Sequence, residues 1–173
     1  SRVNGTIEYP SNFMFVSALN PCPCGYYGSY VRQCSCSEYE RRRYLSKLSG
    51  PLLDRIDIFT AVNFLPYNKI ISGKSSEKSD VIKKRVVEAR NIQENRFSTE
   101  EINCNAEMNQ KLIKKYCIID KKASKILELM YNKFALSTRA YSRIIKVSRT
   151  IADLDGSKDI LDREERRVGK ECP

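Results

Sequence analysis

The chain has 173 residues, no histidine, and 31 Lys plus Arg against 21 Asp plus Glu, giving a net charge of +10 near neutral pH. That length holds one medium domain or two small ones with room for a sizeable core, and the charge points to an anionic partner (a nucleotide, a nucleic acid or an acidic surface) without choosing among them. No stretch approaches the roughly 18 apolar residues of a membrane span, and residues 1–6 lack the apolar segment of a signal peptide, so a cytoplasmic protein without membrane contact is expected.

The chain opens without Met and reads as mid-domain sequence, the expectation being a piece of a longer protein. Residues 13–19 (FMFVSAL) form a near-continuous apolar run between Pro10 and Asn20-Pro21. Such a run predicts a buried central strand of a parallel sheet. Asn20 then falls just beyond the strand's carboxyl end, where open α/β sheets place ligand-binding groups; the competing reading is a turn residue before Pro21.

Seven cysteines are present, and Cys22, Cys24, Cys34 and Cys36 sit close together. In a reducing compartment a cluster of this kind more often holds metal than disulfides. Two Cys-x-Cys pairs, separated by a loop rich in Gly and Tyr, can close a tetrahedral zinc site. With no histidine the set is all cysteine, and with all four ligands from protein the zinc would be structural. Free cysteines in a surface loop are the alternative, since the usual spacing is Cys-x2-Cys.

Residues 37–48 predict a helix with Ser37 as N-cap, and Arg41, Arg42 and Arg43 line a solvated face or contact phosphates. Gly50-Pro51 reads as a turn. Leu52 and Leu53 give an apolar anchor, and residues 56–64 predict a second buried strand. Arg55 is thereby held at a strand entrance beside Asp54 and Asp57, as a structural ion-pair partner or as a guanidinium reaching a phosphate on a neighbouring molecule.

Residues 67–80 are polar and Ser-rich and predict a linker. Gly73-Lys74-Ser75 mimics the end of a phosphate-binding loop, but Asn68 stands where the first glycine belongs, and no strand leads in. Helices follow. Val81, Ile82, Val86, Ala89 and Ile92 trace one over residues 80–97. Leu112, Ile113 and Tyr116 mark a short second one. Residues 121–134 predict a third that buries Ile126, Leu127, Leu129, Met130 and Phe134. The fourth runs from the N-cap Ser137 to the stop at Gly156. On it Arg139, Arg143 and Lys146 share one face, which is either a solvated basic face or, with the helix N-terminal amides near Arg139, an anion site.

Three segments resemble one family in the right order: the magnesium-chelatase-like AAA+ ATPases, in particular the ComM/YifB-like branch. Residues 13–25 resemble the sensor 1 strand, Ser49-Gly50-Pro51-Leu52-Leu53-Asp54-Arg55-Ile56-Asp57 the arginine-finger segment, and residues 136–156 (LSTRAYSRIIKVSRTIADLDG) the sensor 2 helix of the lid. The resemblance implies an α/β plus all-α fold. Residues 1–66 would be the C-terminal portion of the ATPase core with a Cys-rich insertion, 67–79 a linker, 80–157 a helical lid, and 158–173 a disordered tail.

The resemblance also implies roles. Asn20 would orient water near the ATP γ-phosphate, Arg55 would reach the nucleotide of the next subunit, and Arg139, with Arg143 on its face, would sense the γ-phosphate. The implied assembly is a homo-oligomeric ring of six subunits using ATP and Mg²⁺. In the ComM-like branch the implied substrate is DNA, remodelled by branch migration during competence and recombination; others in the family insert magnesium into porphyrin. The Walker A loop and Walker B acidic pair belong upstream, so the chain alone is expected to be inactive in hydrolysis. The rival expectation is a non-catalytic, zinc-stabilised nucleic-acid-binding module.

Overall fold

The structure, a computed structural model, describes residues 8–9, 13–62, 64–71 and 77–161. The chain divides into two compact units, Ser1–Lys47 and Leu48–Pro173, each taken by itself. The Gly73-Lys74-Ser75 decoy and tail residues 162–173 lie outside the described residues.

In the first unit residues 13–20 carry no regular element and are exposed, Met14 to 87%. This differs from the buried strand the sequence predicts. A strand satisfies its backbone N–H and C=O groups across to a neighbour, and among the described residues there is none for this segment. The apolar run therefore keeps the composition of a buried strand without the sheet that would bury it. Helix α1, Glu38–Leu45, does form where expected. The Ser37 hydroxyl accepts from the Glu40 amide at 3.3 Å, and the Glu40 carboxylate accepts from the Ser37 amide at 2.8 Å. This reciprocal box satisfies two amides that the first turn would leave bare, and it holds the Glu40 carboxyl below its ordinary pKa.

The second unit starts with a correction. Gly50-Pro51 does not make a plain turn but opens a short helix, α2, Gly50–Leu53, capped by the Ser49 hydroxyl accepting from the Leu52 amide at 3.3 Å. Proline is tolerated there because the first turn has no use for its missing N–H. Residues 56–62 and 64 then lack the predicted strand, and Val62 is 93% exposed. The reason is the same as for residues 13–20. Helix α3, Tyr67–Ile71, occupies the start of the expected linker.

The remaining helices are α4 (Ser79–Arg96), α5 (Gln110–Tyr116), α6 (Lys121–Phe134) and α7 (Thr138–Leu154), with a 3₁₀ turn at Asn105–Glu107. Helix α7 packs against α4, α5 and the 3₁₀ turn. Phe97, Met108, Leu112, Ile113, Cys117, Leu127, Ile145 and Ile160 form the core, edged by Ile102, Tyr116, Ile119, Tyr141 and Ile144. Burial pushes the Cys117 thiol up to about 11, so it behaves as a small apolar side chain. The only β pairing among the described residues is an isolated parallel bridge between Ile119 and Ile160. No helix among them is long and apolar enough to cross a membrane.

Two predicted apolar stripes are less buried than their spacing suggests. On α4 only Ala89 and Gln93 are buried, while Val81, Ile82, Val86 and Ile92 remain exposed; on α6 Leu129 and Phe134 are exposed. The helical period places these side chains on one face, but coverage needs an opposing element, and on α4 only Ala89 and Gln93 become buried.

Beside the core lies a polar hub. Arg149 is 1% exposed and Asp153 3%. Asp153 accepts from Arg149 Nε at 3.1 Å, from Asn105 Nδ2 at 2.8 Å and from both terminal nitrogens of Arg96, one of them at 2.8 Å. Arg149 also donates to the carbonyl oxygens of Lys158 and Ser157, each at 2.5 Å, tying the segment after α7 back onto the helix. Removing one member of a buried pair strands the other charge without water. Asp153→Ala is therefore expected to destabilise the helical unit by about 3–5 kcal/mol in thermal or urea unfolding. A loss below about 1 kcal/mol would show that the hub does not anchor the unit. Ala135, in the left-handed region at φ +46 where α6 ends, should gain about 1 kcal/mol as Ala135→Gly in the same measurement.

Candidate functional site

In the first unit the four cysteines converge. Cys22 Sγ lies 3.4 Å from Cys24 Sγ and 3.7 Å from Cys34 Sγ, and Cys24 Sγ lies 3.5 Å from Cys34 Sγ. All four sulfurs fall within 4.8 Å of one another. Zinc–sulfur bonds of about 2.3 Å in a tetrahedron set sulfur–sulfur edges of roughly 3.8 Å, so the spacing fits that ion. Backbone turns build the arrangement. The Gly25 amide donates to the Cys22 carbonyl at 3.0 Å, and Gly25 and Gly28 adopt φ of +82 and +77, a region closed to most side chains.

The thiols are unequal. The backbone at Tyr26 holds Cys24 down to about 5. Cys36 receives the Cys24 amide at 3.4 Å, which favours its thiolate, yet burial and the neighbouring thiols push it up to about 12. Thiolates this close repel one another, so all four would be deprotonated together only around a cation. Asn20 is exposed, and its amide lies beside Gly25: a Cβ added there would sit 3.9 Å from Asn20 Cγ. Stacked pairs flank the loop, with Arg32 over Tyr26 at 4.6 Å and Arg41 over Tyr27 at 4.7 Å.

In the second unit Arg55 is exposed and follows directly on α2. Its amide donates to the Leu52 carbonyl at 2.9 Å and its Nη1 to the Pro51 carbonyl at 2.7 Å. It is not packed inward, and it makes no ion pair with Asp54 or Asp57. The three basic residues of α7 have separate placements. Arg139 is exposed in the first turn, with no polar partner among the described residues. Arg143 is held by Asp57 and by the Ile56 carbonyl. Lys146 donates to the Ala106 carbonyl at 2.8 Å. The Ser137 hydroxyl caps α7 as predicted, accepting from the Ala140 amide at 3.1 Å.

Residues 1–70 match the family described as magnesium chelatase, subunit ChlI, and residues 76–165 match its C-terminal family, magnesium chelatase, subunit ChlI C-terminal. The chain belongs to the magnesium chelatase subunit ChlI family, and so to the AAA+ ATPase-type proteins. Among curated relatives it is 41% identical over 163 residues to the competence protein ComM of Haemophilus influenzae, covering 93% of this chain and 31% of that protein. It is 38% identical to YifB of Salmonella typhimurium, over 90% of this chain and 30% of that protein. It is likewise 38% identical to YifB of Escherichia coli, over 95% and 31%. The chain thus spans about a third of the length of the curated relatives it matches.

Sequence reasoning missed two features of this family member. The first is the buried Arg149–Asp153 pair. The signal was there, since Arg149 lies four residues after Ile145 on the stripe that α7 buries, so its charge had to find a buried partner. The second is Arg143 on Asp57, a contact across 86 residues for which the sequence carries no local sign.

Proposed function

We propose that the chain is the distal part of a ring-forming, ATP-driven motor that acts on DNA, and that it contributes phosphate-sensing groups to a pocket whose remaining parts lie upstream. In this reading residues 1–66 complete the ATPase core, whose upstream strands would pair with residues 13–19 and 56–64. Residues 67–79 connect that core to the lid of residues 80–157. The observation that carries the reading is Arg55: an outward guanidinium at a capped helix exit, inside a segment that matches the family. A guanidinium so placed can meet phosphate on an adjoining subunit, where its planar fork suits phosphoryl oxygens.

ATP with Mg²⁺, when bound, supplies the phosphoryl group to be transferred. Arg55 would neutralise charge developing on the γ-phosphoryl oxygens of the neighbouring subunit's nucleotide. Arg139, exposed at the start of α7, would contact the γ-phosphoryl group of its own subunit's nucleotide, and Asn20 would orient the attacking water. The +10 charge suits a nucleic-acid substrate, and ComM, one of the relatives, is named as a competence protein. Cys22, Cys24, Cys34 and Cys36 would hold one zinc as a structural brace with no open coordination position.

A second reading, a non-catalytic zinc-stabilised nucleic-acid-binding module, draws on the cysteine cluster and the Tyr–Arg stacks beside it. The two readings separate on turnover. In the complete protein Arg55→Ala is expected to retain nucleotide binding and to lose about 10³-fold or more in ATP hydrolysis, with or without DNA, as arginine fingers supply. Unchanged turnover would reject the motor, and robust hydrolysis by residues 1–173 alone would reject the division of labour. For the metal, elemental analysis should give about one zinc per chain, falling sharply in Cys22→Ser. A zinc-free wild-type protein with unchanged thermal stability would reject the brace.

A further inference from the structure

Arg143, in the second turn of α7, reaches back across 86 residues of sequence to the segment that carries Arg55. Its Nε donates to Asp57 Oδ1 at 2.8 Å, and its Nη2 donates to the Ile56 carbonyl oxygen. One planar fork thus grips two consecutive residues, one through its side chain and one through its backbone. Those residues are the immediate successors of Arg55. On the other side, Arg55 and Ile56 donate their amides to the Leu52 and Leu53 carbonyls at 2.9 and 3.1 Å. Arg55 is therefore bracketed, with α2 behind it and α7 ahead.

The pair is poorly suited to holding the fold together. The Asp57 side chain is 59% exposed and that of Arg143 22%, and pairs this open to water contribute little to stability. What it does is fix position. A side chain pulling on a backbone carbonyl moves the main chain when its own helix moves, and Arg139 sits one turn upstream of Arg143 on the same helix face.

We infer that Arg143 is a positioning residue that couples α7 to the Arg55 segment, so that the helix bearing Arg139 and the loop bearing Arg55 shift together. The inference rests on reading Arg139 and Arg55 as groups that address nucleotides in two adjoining subunits. Given that reading, a subunit whose own nucleotide draws in Arg139 turns α7, and Arg143 passes the displacement through Ile56 and Asp57 to Arg55. Occupancy of one pocket thereby sets the readiness of the next one round the ring. Couplings between sites of this kind typically change an affinity or a rate by about 5–150-fold.

The test uses the complete ring-forming protein and compares Asp57→Asn, Arg143→Ala and Asp57→Glu with wild type and with Arg55→Ala. Asp57→Asn is the primary variant because an exposed side chain can be changed without opening the core. Asp57→Asn and Arg143→Ala should bind a fluorescent ATP analogue within about twofold of wild type, lose about tenfold in kcat, and show a Hill coefficient for ATP falling toward unity. Asp57→Glu, which keeps the carboxylate, should recover most of that loss. If Asp57→Asn and Arg143→Ala keep both the wild-type kcat and its cooperativity, the coupling is wrong. It is equally wrong if their loss of turnover only tracks loss of ATP affinity and of thermal stability. Arg55→Ala tells the two failures apart. Full turnover in that variant overturns the motor reading itself, whereas its loss alongside unaffected clamp variants overturns the coupling alone.

Discussion

The helical unit is organised around one buried carboxylate. Asp153 receives hydrogen bonds from Arg149, Arg96 and Asn105, which belong to α7, α4 and the 3₁₀ turn. A charge this deep is tolerated only when each of its lone pairs is met, and that demand fixes the relative rotation of the elements that supply the donors. Arg149 extends the constraint past the end of α7 by holding the Ser157 and Lys158 carbonyls. The apolar cluster of Phe97, Leu112, Ile113, Leu127 and Ile145 then packs against a frame whose register is already set. Apolar contacts alone would permit small slides of α7, because burial has no direction. The hub forbids them.

That rigidity matters for what α7 carries in its N-terminal half. Arg139 and Arg143 are one turn apart, and the same helix that buries Arg149 and Asp153 presents them. A helix fixed at its C-terminal half and loaded with cations at its N-terminal half behaves as a lever. On the proposed reading, force applied at Arg139 would swing the N-terminal half of α7 about the anchored hub rather than slide the helix. The contact with Asp57 lies at the loaded end, outside the apolar cluster, where a change of partner leaves the core untouched. The buried hub and the exposed basic side chains thus occupy different turns of one element.

Much of the helical structure in both units was legible in the sequence. Ser37 and Ser137 cap where their hydroxyls can meet amides of the first turn, the bounds Lys121–Phe134 follow from the apolar period, and Leu112 and Ile113 are buried as expected. These are local rules, each satisfied within a few residues. The two apolar runs at residues 13–19 and 56–64 obey a rule that is not local. Their composition suits burial in a sheet, but a strand exists only beside another strand, and none faces them among the described residues. The exposed valines and isoleucines of α4 follow the same logic. The cysteines lay between these cases: proximity in sequence suggested a site, but only the turns at Gly25 and Gly28 show how one-residue spacings bring four sulfurs into a tetrahedron-sized cluster. Arg143 on Asp57 was beyond sequence reasoning, because its partners are far apart and neither is apolar.

The distribution of basic side chains sharpens what the net charge means. Arg96 and Arg149 are consumed by the hub, Lys146 by a carbonyl, and Arg143 by Asp57 and Ile56. Arg32 and Arg41 lie over tyrosine rings. Arg55 and Arg139 remain exposed, Arg55 bonded only to a carbonyl of its own helix and Arg139 without a polar partner among the described residues. A guanidinium in water is fully solvated and gains nothing by waiting there for an intramolecular partner. It gains most from a doubly charged oxygen cluster that presents two acceptors at once, which is the geometry of a phosphoryl group. Arg43 and Arg90 share that exposure, but neither lies beside a long-range clamp: Arg143 stands one helical turn from Arg139 and holds Asp57, two residues from Arg55.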